Sequence, residues 1–208
     1  MIDQFSQQDV EILSKDTAYN GFFKLHKLQL RHRLFEGGWS EVFTREMCVR
    51  GDAVGVLLYD PSLQKFALVE QLRIGVLERE QSPWLLELVA GMLDKEHELA
   101  TEVVHRESME EAGVEISELE HMLDYFCSPG GSTEFFSLFC GKVDLHGKTT
   151  AVFGLPEEHE NIRVHVLPVG DVMQLLQQGH VNNAMTIIAL QWFQLNKARL
   201  DKLWSGTA

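Results

Sequence analysis

The chain has 208 residues, enough for one well-formed core and a small addition. Hydrophobic residues make up 45% and charged residues 24%, the balance of a globular protein rather than a disordered or fibrous one. A net charge of −13 argues against nucleic acid or an anionic membrane as a partner, and no apolar run approaches a membrane span.

The amino terminus, MIDQFSQQDVE, has neither the basic nor the apolar segment of an export signal, so a cytoplasmic location is expected. Cys48, Cys127 and Cys140 form no zinc or redox spacing and are expected to be buried thiols. The histidines stand singly or at spacings that match no ligand pattern.

In chain order, residues 10–19, 21–35 and 40–50 read as three strands, with Leu28, Leu30 and Leu34 alternating in the second and FEGGW turning into the third. They predict a small antiparallel β-domain over residues 1–50, too small to stand alone. Ala53–Tyr59 and Phe66–Leu72 are compact apolar runs around DPSLQK and predict a buried hairpin. Trp84–Ala90 reads as one further strand, and 115–127, 134–143 and 161–167 as three more. Helices are predicted over 98–112, 170–179 and 182–199, the last with Ile187, Leu190, Trp192 and Leu195 as its apolar positions. The fold class is therefore α+β, a mixed sheet between helices.

The helix over 98–112 carries the sharpest signal. At 100° per residue, Leu99, Ala100, Val103 and Val104 share one stripe, the face that packs inward. Glu107, Glu110 and Glu111 continue that same stripe. A solvated acidic surface would lie opposite it. Like charges three and four residues apart repel by about 0.2–0.5 kcal/mol per pair. Carboxylates near a helix C-terminus also oppose its dipole, at about 0.3–1 kcal/mol each. Acids placed against both effects point to a divalent cation, and hard oxygen donors favour Mg²⁺ or Mn²⁺ over Zn²⁺.

Gly91, Glu98 and the run Arg106-Glu107-Ser108-Met109-Glu110-Glu111-Ala112-Gly113-Val114 resemble the Nudix box, the signature of hydrolases of nucleoside diphosphates linked to another group. Six residues separate Gly91 from Glu98 where the family has five, and Ser108 replaces an aliphatic residue. The extra residue falls in the Asp94–His97 loop, which leaves the register from Glu98 onward intact. Six fixed positions at residue frequencies of about 6–7% recur by chance in such a chain on the order of once in 10⁵.

The resemblance implies an α/β/α sandwich over residues 51–208. It makes Glu107, Glu110 and Glu111 metal ligands, joined by the Ala90 carbonyl, with Mg²⁺ as the ion and Mn²⁺ as a substitute. Gly91 lets the backbone pass close to metal and diphosphate, Arg106 and Glu98 form a supporting pair, and Gly113 stops the helix.

Further stretches resemble the Nudix enzymes that cleave ADP-ribose: Pro129, 15 residues beyond Val114, then Gly21-Phe22-Phe23, Arg45-Glu46, Gln71-Leu72-Arg73-Ile74 and Asn161–Val166. By this resemblance Phe22 stacks on adenine across a dimer interface, and Arg45 and Glu46 contact substrate. Arg73 lies near the diphosphate, Met92 at the substrate, and Glu134 holds the terminal ribose. Three acids committed to metal leave a separate base to activate water. The acidic loop 154–161 offers Glu158, which matches the family's base, and Glu160 beside it.

The expected activity is Mg²⁺-dependent hydrolysis of ADP-ribose to AMP and ribose 5-phosphate by a homodimer. The alternatives are another nucleoside diphosphate sugar, such as GDP-mannose, and a catalytically silent ADP-ribose sensor.

Overall fold

The computed structural model describes residues 5–95, 97–155, 157 and 159–204. They fall into two compact units, 5–52 with 126–135, and 53–125 with 136–204.

In the first unit β1 (Val10–Asn20), β2 (Lys24–His32) and β3 (Phe43–Val49) form an antiparallel sheet in the order β1-β2-β3. Gly37 and Gly38 take φ of +92° and +81° in the turn before Trp39, a region that favours glycine. Leu34 was expected to extend the alternation of Leu28 and Leu30. It lies beyond the end of β2 and is exposed, because the chain has already entered this turn. Leu28 is the one buried apolar residue of the three strands, so this sheet has almost no core of its own.

The segment 126–135 joins the unit through the backbone. Cys48 N–H donates to Gly131 O at 2.8 Å and Thr133 N–H to Cys48 O at 3.0 Å. The Thr133 hydroxyl accepts from Arg50 N–H and donates to Arg50 O, each at 2.8 Å.

The second unit is built on β4 (Ala53–Asp60), β5 (Lys65–Leu72), β6 (Trp84–Glu87), β7 (Val89–Met92), β8 (Ile116–Phe126), β9 (Phe135–Val143), β10 (Ala151–Phe153) and β11 (Ile162–Pro168). The path runs β10-β11-β5-β4-β9-β8, with β6 on β5 and β7 on β4. The β4–β9 pair is parallel and the hairpin β4–β5 antiparallel, so the sheet is mixed. Every residue of β4 is buried. Its alternation serves two cores, as expected of a strand covered on both faces. Val54, Val56 and Leu58 pack with Val103 and Val104 of α1 (Ala100–Ala112). Leu57 and Tyr59 pack with Ala189, Leu190 and Phe193 of α3 (Ala184–Trp204), the layer that also holds Val172 of α2 (Val169–Gln177). Burial of each large apolar side chain here stabilises by about 1.5–3 kcal/mol.

Three further expectations need correction. The single strand over Trp84–Ala90 is two, because the chain leaves β5 after Glu87 and pairs with β4 from Val89. At the switch Leu88 is buried, and its N–H donates to the buried Thr186 hydroxyl at 3.2 Å. Asn183 accepts from Thr186 N–H and donates to Leu86 O, which ties the start of α3 to this break. Leu99 does not join the inner stripe of α1. It precedes the first helical residue and is exposed, while its N–H donates to Glu102 at 2.9 Å. Leu195 is also exposed, since the buried face of α3 runs through Met185, Ala189, Leu190, Phe193, Leu200 and Trp204.

Ser108, the departure from the aliphatic pattern, is fully buried. Its hydroxyl donates to Val104 O, one turn back, at 2.8 Å, which satisfies the polar group without a partner from another element.

Candidate active site

The last turns of α1 meet β7. Gly113 ends the helix at φ +61°, with its N–H on Met109 O and the Val114 N–H on Ser108 O. Val103 and Val104 fix the rotation of the helix against the sheet, so one and two turns later Glu107 and Glu111 point at the same strands. Glu111 is 3% exposed and accepts from Ala90 N–H at 3.1 Å. A Cβ on Gly91 would collide with the Glu107 carboxylate, so glycine is required there by close approach rather than by backbone angle.

Arg106 is the hub of the remaining acids. Its Nε donates to Glu98 at 3.3 Å, and its Nη1 donates to Glu107 at 2.8 Å and Glu110 at 3.2 Å. His97 takes a left-handed φ of 67° just before Glu98, and Glu98 N–H reaches Lys95 O at 3.3 Å. The longer loop thus closes on a turn that returns Glu98 to Arg106.

The electrostatics are those of crowded carboxylates. Burial pushes Glu111 up to about 8, opposed by the Ala90 N–H and Arg73 and reinforced by Glu107 and Glu160. Burial likewise pushes Glu107 up to about 7, opposed by Arg106 and reinforced by Glu110 and Glu160. Glu160 therefore belongs to the same cluster. Its carboxylate accepts from Leu155 N–H at 3.2 Å, and Gly154 at φ +105° lets the backbone fold tightly against it. Glu158 lies outside the described residues. Met92, at the end of β7, is 37% exposed.

This donor set fits a divalent cation. It consists of hard oxygens, two of them on half-buried or buried carboxylates that repel one another and lack enough hydrogen-bond donors. A second group, Asp60, Asp144 and His146, has potential ligand atoms within 4.8 Å of one another. Asp60 there is already engaged by Ser62 N–H, the Ser62 hydroxyl, Leu63 N–H and Leu145 N–H, at 2.7–3.1 Å.

Arg73 follows β5. Its Nε donates to Glu87 at 2.7 Å, and its charge acts on Glu111.

In the first unit the expected substrate residues take separate positions. Phe22 is 87% exposed and stands edge-on to Phe23. Arg45 lies over the Phe43 ring, and Glu46 is its exposed neighbour. Glu134 pairs with Arg50 Nε at 2.8 Å, and Arg50 in turn lies over Phe23. Sequence reasoning missed Arg50, whose pairing depends on a strand and a loop far apart in the chain. It also missed Glu87, for which a signal was present: one acid inside the apolar run Trp84–Ala90.

Comparison with known proteins bears on the family and the fold. The family model described as NUDIX domain matches residues 49–207. An ADP-ribose pyrophosphatase of Haemophilus influenzae is 46% identical over 206 residues, covering 98% of this chain and 94% of the relative. A GDP-mannose pyrophosphatase of Yersinia pestis is 33% identical over 187 residues, 89% of each chain. A solved structure described as an ADP compounds hydrolase superposes with a TM-score of 0.70 at 19% identity, over 94% of this chain and 98% of that one, a likeness of fold. With the box carboxylates assembled at the end of α1 and the family model matching most of its length, this chain belongs to the Nudix hydrolase family.

Proposed function

We propose that this protein hydrolyses the diphosphate of ADP-ribose to AMP and ribose 5-phosphate, with Mg²⁺ as the metal and Mn²⁺ as a substitute. The single observation that carries the reading is the approach of Glu107 and Glu111 to Ala90–Gly91, with Glu110 held beside Glu107 by Arg106. The choice of ADP-ribose is supported by the 46% identity to an ADP-ribose pyrophosphatase, against 33% to a GDP-mannose pyrophosphatase.

Glu107, Glu110, Glu111 and the Ala90 carbonyl would hold the cation, and Gly91 leaves room for them. When bound, the cation neutralises the diphosphate and lowers the pKa of the attacking water. Arg106 and Glu98 keep the ligand carboxylates in place. Arg73 offers its guanidinium to the phosphates. The proton of the attacking water goes to Glu158 or Glu160, of which Glu158 is favoured. Met92 touches the substrate. Phe22 stacks on adenine, Arg45 and Glu46 contact the nucleotide, and Glu134 accepts from ribose hydroxyls. Catalysis belongs to residues 51–208, while residues 1–50 form a β-domain for dimerisation and substrate contacts.

A homodimer is supported by the exposed apolar side chains of the β1–β3 unit, among them Ile12, Tyr19, Phe22 and Phe35. A cytoplasmic location is proposed from the composition, and no described helix is long and apolar enough to cross a membrane.

The experiment is AMP release from ADP-ribose against a panel of nucleotide sugars including GDP-mannose, with and without Mg²⁺. Metal-dependent cleavage with ADP-ribose well ahead is expected. Another preferred sugar would discard the substrate contacts and keep the chemistry; tight binding without cleavage would make the protein a sensor.

A further inference from the structure

Among the described residues, Glu87 is the buried acid of the catalytic unit outside α1 whose carboxylate is held by a guanidinium rather than by backbone donors. It is 5% exposed and lies in β6 opposite Val69, a residue of the core shared with α1. Its Oε2 accepts from Arg73 Nε at 2.7 Å. Among the described residues Glu87 is the one side-chain acceptor for that guanidinium. The Arg73 side chain is nonetheless 43% exposed. The backbone of Arg73 is fixed as well, with its N–H on Pro83 O at 2.8 Å.

An ion pair of this kind is a poor source of stability, because desolvating the carboxylate offsets most of the attraction. Burial in fact raises the Glu87 pKa, with Arg73 opposing the rise. What the pair does supply is direction. A guanidinium has five N–H donors in a rigid plane, and anchoring it through Nε leaves both terminal nitrogens for a second acceptor. Two terminal nitrogens in one plane form the fork that grips phosphate oxygens bidentately.

We infer that Glu87 is a positioning residue: it holds Arg73 by Nε so that the exposed edge of the guanidinium faces the diphosphate of the substrate. This rests on the reading of Arg73 as a diphosphate contact. Glu87 itself touches no substrate. It acts by removing the rotamers in which Arg73 would swing into solvent.

The test is a double-mutant cycle with Arg73→Ala, Glu87→Gln and the double variant, measured in saturating Mg²⁺. The readouts are KM and kcat for ADP-ribose and Kd for its non-cleavable α,β-methylene analogue. Arg73→Ala is expected to raise KM and Kd about tenfold or more, the loss of a charge-assisted phosphate contact. Glu87→Gln keeps the shape and an acceptor oxygen but not the charge. It should raise both about three- to tenfold, with kcat within about twofold of the parent. Added to Arg73→Ala, it should change nothing further.

Equal losses from Glu87→Gln in both backgrounds would show that it acts independently of Arg73 and overturn the inference. So would unchanged binding in Glu87→Gln beside impaired binding in Arg73→Ala. Normal binding in Arg73→Ala would remove the diphosphate contact itself, and the inference with it. Should Glu87→Gln not fold, Glu87→Met, similar in volume and uncharged, takes its place in the cycle.

Discussion

Two carboxylates of this protein are almost closed to solvent and electrostatically opposite, with Glu111 lying the deeper of the two beneath the surface. Asp60 is 2% exposed and Glu111 is 3% exposed. Burial raises the pKa of both, but at Asp60 the N–H groups of Leu145, Leu63 and Ser62 and the Ser62 hydroxyl more than reverse it, and its pKa is lowered. At Glu111 the Ala90 N–H is the hydrogen bond set against burial and two neighbouring acids, and the pKa rises to about 8. Asp60 is complete without a ligand. It closes the β4–β5 turn and ties it to Leu145. Glu111 is short of positive charge in a place where folding has no use for the shortage. Geometric proximity alone would favour Asp60, Asp144 and His146 as the metal group; counting donors favours the end of α1.

The largest expected effect that would sharpen this contrast is catalytic. Glu158→Gln should lower kcat by about 10²–10⁴ with KM nearly unchanged, and Glu160→Gln should do less. Steady-state kinetics of the two variants decide between the bases, and near-normal turnover in Glu158→Gln would remove it from the mechanism.

Next comes Gly91→Ala, whose new methyl must displace the Glu107 carboxylate. Its Mg²⁺ requirement, read from the metal dependence of AMP release, should rise about tenfold or more. Since the clash involves a side chain, the circular dichroism spectrum should stay that of the parent.

A smaller effect concerns pH. Glu107 and Glu111 sit at about 7 and about 8 instead of 4.5, so the folded state keeps protons that the unfolded chain has lost. Their contribution to stability is then full below pH 4.5 and is lost as pH rises through 7 and 8. In EDTA the Tm should fall over that window, and saturating Mg²⁺ should remove the slope. A metal-free Tm that rises across the same range would contradict the assignment.

The smallest is Ser108→Ala. The hydroxyl it removes bonds only within its own helix, so stability should change by less than about 1 kcal/mol in urea unfolding.

Much of this was legible in the sequence because it is local. The apolar start and acidic end of α1 follow from one periodicity, and the β4–β5 hairpin from two apolar runs around DPSLQK. Where the reading failed, a distant partner decided. Trp84–Ala90 is unbroken as a pattern, and only Thr186, 98 positions from Leu88, takes up the N–H where the strand changes partners. β10 is three residues long and exists because β11 offers it an edge. Leu99 fits the helical stripe by arithmetic but precedes the helix. The pairs Glu87–Arg73 and Glu134–Arg50 join residues that no periodicity links.

The most direct measurement is a calorimetric Mg²⁺ titration of the parent, Glu111→Gln and Asp60→Asn. Glu111→Gln should weaken Mg²⁺ binding by about tenfold or more. Asp60→Asn should bind Mg²⁺ like the parent while losing about 1–3 kcal/mol of stability from its unsatisfied donors. The reverse pattern, with Mg²⁺ lost in Asp60→Asn and kept in Glu111→Gln, would place the metal elsewhere and contradict the account.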